Sequence, residues 1–156
     1  MTENLKGRFF EDYVINETQK VGIVTMNEAE IIDFATQYDP QEFHLDPAKA
    51  ALGPFGGLIA SGWHTAAKIM RLLIDSYLSA SSLGSPGIDE LRWLVPVRPG
   101  DVLTVYSTVT AARQSRSKPD RGLLHTSMEA FNQDGQKVIT MKSMSMVFCR
   151  DTETTA

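Results

Sequence analysis

One cysteine is the whole thiol complement of this chain. No internal disulfide can form, and no cysteine cluster can hold a metal. That thiol, Cys149, lies in an apolar run near the end and reads as a small buried residue. Positive charge is also scarce: 15 Lys and Arg against 19 Asp and Glu leave a net charge of −4. A chain of that balance is poorly suited to nucleic acid or to an anionic membrane surface. No apolar run approaches the ~20 residues of a membrane span. Residues 1–8 are polar and charged, without the apolar core of a secretion signal. The expectation is a cytoplasmic domain with neither nucleic acid nor membrane as partner. Histidine is rare too, three in 156 residues, so the setting of each one is informative.

The most telling setting is Tyr38-Asp39-Pro40-Gln41-Glu42-Phe43-His44-Leu45-Asp46-Pro47. It places a carboxylate and an imidazole five positions apart, just past an amphipathic helix. Imidazole titrates near neutrality, and a neighbouring carboxylate can fix its tautomer or share a water with it. Soon afterwards comes Phe55-Gly56-Gly57-Leu58-Ile59-Ala60-Ser61-Gly62-Trp63, a glycine turn opening into a long apolar helix. Such a turn can offer unblocked backbone N–H groups to a developing negative oxygen. Acid, imidazole and donor turn together describe an enzyme that moves water and protons beside a carbonyl.

At 156 residues and 42% hydrophobic composition the chain suits a single domain with a substantial core. Residues 19–26 alternate and predict a strand. The Thr25-x-x-Glu28 spacing predicts a capping box for the helix that follows, which Pro40 must end. Residues 45–57, broken by Pro47, Gly53 and Pro54, predict a wrapping loop with one helical turn at 47–51. Apolar residues recur at three and four positions through 61–79, predicting the longest helix. Alternation then returns in 88–97, 102–112, 122–132 and 136–150, with Asp134-Gly135 a hairpin signal between the last two. The expected fold is an α+β domain over residues 1–156: an antiparallel sheet of five or six strands wrapped around one central helix, with residues 1–8 and 151–156 flexible. An open sheet edge predicts a homodimer or a higher homo-oligomer.

These residues resemble the MaoC-like dehydratases, relatives of the R-specific enoyl-CoA hydratases within the hot-dog fold. The pattern of that family is Asp-x-Asn-Pro-x-His, then a glycine turn leading into Ala-Ser. Asp39 and His44 hold the two outer places, Phe55 to Ser61 matches the turn, and Pro96-Val97-x-Pro99-Gly100-Asp101 matches a family strand turn. The match spans residues 17–148. Gln41 stands where the family has Asn, and Glu42 where it has Pro. The resemblance implies a hydro-lyase acting on a 2-enoyl or 3-hydroxyacyl thioester of CoA, with no cofactor and no metal. It implies Asp39 and His44 as the catalytic pair. Gly56 or Gly57 supplies the N–H that receives the enolate charge, with Gly56 favoured by alignment on Ala60-Ser61. Gln41 and His64 then border the substrate.

Each of these residues also has a plainer reading. Asp39 can simply end its helix, and His44 can be an ordinary turn histidine. Asp46 before Pro47 reads as a helix cap. His64 can be a core or interface residue, and His125 has no assignable role. Arg113, Arg116, Lys118 and Arg121 suit either the phosphates of CoA or a solvated loop. Two other functions compete. A hot-dog thioesterase places its acid on the central helix, where this chain has only Asp75, far along it. A non-catalytic acyl-CoA binding module would not need to keep both Asp39 and His44.

Overall fold

The computed structural model describes residues 5–150. Its five strands, β1 (Thr18–Thr25), β2 (Ile88–Trp93), β3 (Val102–Gln114), β4 (Arg121–Phe131) and β5 (Lys137–Phe148), form one sheet in the order β1-β3-β4-β5-β2. Every neighbouring pair is antiparallel. Between β1 and β2 run α1 (Glu28–Tyr38), α2 (Glu42–Leu45), α3 (Pro47–Leu52) and α4 (Gly62–Ser76). The alternation of β3 comes out as expected: Leu103, Val105, Ser107 and Val109 are buried while their neighbours are less so. Ile69 of α4 and the inner residues of the strands share one core, so the sheet is packed on α4 in the hot-dog manner. At β1 the contact is close. The register shifts beside Gly22, and a Cβ there would stand 2.9 Å from Leu72 Cδ1 of α4.

Several local expectations need correction. The helix α1 is capped by Asn27, whose side chain accepts from the N–H groups of Ala29 and Glu30. Thr25 closes β1 instead of opening a capping box. After Pro40 the short helix α2, which carries His44, goes beyond the expectation, whereas the helical turn from Pro47 and its Asp46 cap come out as expected, proline fitting the first turn because its missing N–H is not needed there. The central helix is shorter than the apolar pattern, ending at Ser76. Strand β2 ends at Trp93, and Leu94 N–H still reaches Val138 O at 2.8 Å before the chain leaves the sheet. Residues 5–8 are held rather than loose. Leu5–Gly7 forms a 3-10 turn, and Arg8 donates to Gln19 Oε1 at 2.8 Å while lying over the rings of Tyr13 and Tyr77. The expectations for residues 1–4 and 151–156 lie outside the described residues. Among the described residues no helix is long and apolar enough to cross a membrane.

Candidate active site

Asp39 is the C-cap of α1, released from helical geometry by the proline that follows it. His44 lies on α2, one short helix later, and is buried. The segment between α3 and α4 then passes back over both. Ile59 N–H donates to Phe43 O at 3.1 Å, and Ile59 O lies 2.7 Å from His44 Nδ1. A carbonyl oxygen can only accept, so Nδ1 carries the hydrogen. In the neutral ring Nε2 therefore keeps its lone pair. That nitrogen lies 3.3 Å from Asp39 Oδ2.

The carboxylate is held from two more sides. Gln41 Nε2 donates to Oδ1 and Ser61 Oγ–H donates to Oδ2, both at 2.7 Å. Gln41 first, then Ser61, hold the Asp39 carboxyl below its ordinary value; burial opposes them, and nearby His44 adds a lesser pull in the same direction as theirs. Asp39 is thus kept as an acceptor. Ser61 is a residue that sequence reasoning missed. It occupies the N-cap position of α4, yet its hydroxyl makes no cap bond because it is turned to Asp39.

The pair borders a cavity of about 280 Å³ whose other walls are mainly apolar: Ile59, Ala60, Trp63, Trp93 and residues 94–97. Ala60 N–H donates to Val97 O at 2.8 Å, which ties the two sides of that wall together. The two glycines expected to offer an oxyanion donor differ in what their N–H groups do. Gly56 adopts φ +65°, a left-handed turn that suits glycine, but its N–H is directed to Gly53 O at 3.2 Å. No hydrogen bond occupies the N–H of Gly57 or that of Gly62, among the described residues. Of these glycines only Gly62, at the positive end of the α4 dipole, lines the cavity.

The remaining candidates are not brought to it. His64 does not line the cavity. Its ring stacks on Phe34 at 5.0 Å between centroids, and burial, with Lys68 nearby, biases it to the neutral form. Arg113, Arg116, Lys118 and Arg121 cluster at the β3–β4 end, while the residues 94–97 that wall the cavity lead into the start of β3. At ~3.3 Å per residue β3 is roughly 40 Å long, so these cations are remote from the cavity within one chain. Arg121 is engaged by Asp120 and lies over the Phe148 ring. Asp75 pairs with Arg71 near the far end of α4 at 2.8 Å, away from the pair.

The architecture and the sequence have relatives. A MaoC-like dehydratase from Rhodospirillum rubrum superposes with a TM-score of 0.86 at 42% identity, over 93% of this chain and 99% of that one. YdeM of Bacillus subtilis is 27% identical over 129 residues, covering 82% of this chain and 90% of that protein. Mesaconyl-CoA hydratase of Cereibacter sphaeroides is 29% identical over 155 residues, 94% of this chain but only 43% of the relative's length. The family model described as "MaoC like domain" matches residues 13–130, more than half of the sequence. With a helix-wrapping antiparallel sheet, an acid–imidazole pair and a glycine turn at the head of the central helix, this chain belongs to the MaoC-like domain family.

Proposed function

We propose that the protein is a hydro-lyase that adds water to a 2-enoyl thioester of CoA, or removes it from the 3-hydroxyacyl product. The observation that carries this reading is the 3.3 Å approach of His44 Nε2 to Asp39 Oδ2 at the wall of an otherwise apolar cavity. A water there donates one hydrogen to Nε2 and the other toward the Asp39 carboxylate. Its oxygen bonds to the β-carbon of the enoyl group as Nε2 takes the proton. The carbon–carbon π electrons shift to the thioester oxygen, giving an enolate. The enolate then collapses and its α-carbon takes back one proton from the imidazolium, so one water is consumed and the protein is unchanged. The N–H at the head of α4, that of Gly62, faces the growing enolate charge. Apolar walls beside the pair lower the local dielectric and strengthen each of these interactions.

The direct test is spectrophotometric: loss of enoyl thioester absorbance with crotonyl-CoA as substrate. Time-dependent consumption by the purified chain supports the reading. Release of free thiol instead of hydration would point to a thioesterase, and binding without turnover to an acyl-CoA binding module.

Assembly enters the same proposal. The outer edge of β2 is unpaired among the described residues. Beside it Ile88, Trp93 and Leu94 are exposed, as are Trp63, Met70 and Ile74 on α4. An open edge next to so many exposed large side chains suits pairing with a second copy, which places the cavity near the interface. Sedimentation at micromolar concentration is expected to show a dimer or a larger multiple. A stable monomer would remove this part of the proposal.

A further inference from the structure

Two cavities lie along α4. The first holds Asp39 and His44 and takes Gly62, Trp63 and Thr65 from the helix. The second, about 250 Å³, begins one helical turn further on at Ala66 and continues along Met70, Leu73, Ile74, Tyr77 and Leu78. Its opposite wall includes Met128, Met141 and Met144, side chains that adapt to an irregular guest. No residue lines both cavities. Trp93, 45% exposed, lines the first cavity beside the head of α4. Its indole is seated on the backbone of Gly62, so closely that a Cβ at that position would overlap the Nε1 and Cε2 atoms of the ring. Trp63 meets the same indole edge to face at 5.1 Å. On β2, Trp93 is two residues from Leu91, which pairs in register with Met141 of the groove.

We propose that Trp93 sets the length of acyl chain that this protein accepts. The inference rests on the hydro-lyase reading for its substrate class. The first cavity, at about 280 Å³, lies just below the ~300–1,000 Å³ usual for small-molecule sites, and it must receive the thioester as well as the acyl group. The groove from Ala66 to Leu78 is a neighbouring apolar space for a longer tail, and it spans ~18 Å of α4 and its exit at 1.5 Å per residue. The indole on Gly62 closes the way to it. Trp93 is therefore a specificity-determining residue, and the glycine at 62 is what lets so large a side chain sit there.

The experiment compares wild type with Trp93→Ala and with Trp93→Leu, the second keeping an apolar side chain should the first not fold. Calorimetry gives the affinities for butyryl-CoA and octanoyl-CoA, and hydration is followed with crotonyl-CoA and 2-octenoyl-CoA. Each methylene newly buried is worth roughly fourfold in affinity. The ratio of octanoyl to butyryl affinity is expected to favour butyryl in wild type and to rise at least tenfold in Trp93→Ala, with Trp93→Leu between. A ratio that moves less than twofold in both variants, or a wild type that already prefers octanoyl-CoA, overturns the inference. If the ratio shifts as expected while wild type hydrates neither enoyl thioester, the inference stands and it is the hydro-lyase reading that falls.

Discussion

Asp39→Asn is expected to slow hydration of crotonyl-CoA by ~10²–10⁴-fold, the range that positioned acid–base groups contribute, and His44→Ala by a similar factor. The asparagine keeps the shape and can still accept from Ser61 Oγ, but it cannot carry the negative charge that Gln41 and Ser61 stabilise in the parent. His44→Ala removes the base and leaves Ile59 O without its 2.7 Å partner. Groups that act as a unit are not additive, so the double variant is expected to be little slower than the worse single. Circular dichroism and thermal melting separate loss of chemistry from loss of fold. Turnover near wild type in both single variants would make the pair structural. The carboxyl has its own signature. Losing Gln41 or Ser61 removes an interaction that favours the ionised form, so the Asp39 pKa should rise in Gln41→Ala and in Ser61→Ala. Carbon-detected NMR titration of Asp39 reads that direction. Because its folded pKa is depressed, Asp39 contributes stability above its unfolded pKa of about 3.9 and loses that contribution as pH falls through the lower folded value.

The same substitution at two leucines is expected to give opposite results. Leu103→Ala should cost ~2–5 kcal/mol, through lost burial and the cavity left behind. Leu103 is 0% exposed on β3, opposite Val24 of β1 and inside the shared core. Leu52→Ala should stay within ~0.5 kcal/mol, because Leu52, at the end of α3, is 92% exposed. At ~2–4 °C per kcal/mol for a chain of this size, a melting experiment resolves the two without ambiguity. Equal losses at both positions would mean that this core does not hold the molecule together.

How far the sequence could be read depends on how far apart the interacting residues lie along it. Alternation in 102–112 and 122–132 gave the strands, because burial on one face of a sheet imposes a period of two. The apolar spacing of 61–79 gave the central helix but overran its end, since Leu78 packs against the core after the helix has stopped. Asp39 and His44 stood out because both lie in one short stretch. Ser61 did not, although its Oγ is 2.7 Å from Asp39: twenty-two residues separate them, and a serine before a helix ordinarily means a cap. Thr25 misled for a related reason. Its spacing to Glu28 fits a capping box, but Asn27 is nearer the helix and takes the N–H groups first. The roles of Gly56 and Trp93 depend on which carbonyl receives an N–H and which backbone lies under an indole, and no local pattern records either.

The site draws its reacting groups from one span and its apolar wall from another. Asp39, Gln41, His44, Ile59, Ser61 and Gly62 fall within twenty-four consecutive positions, while Trp93 and residues 94–97 come from beyond α4 and meet that span through the Ala60 N–H to Val97 O bond and the Trp93 indole on Gly62. A substitution at the exit of β2 can therefore reshape what the cavity admits without disturbing a single partner of Asp39 or His44. Descendants of such a chain are free to drift from one acyl group to another through a handful of neighbouring codons, while the bond-making step passes unaltered from each to the next.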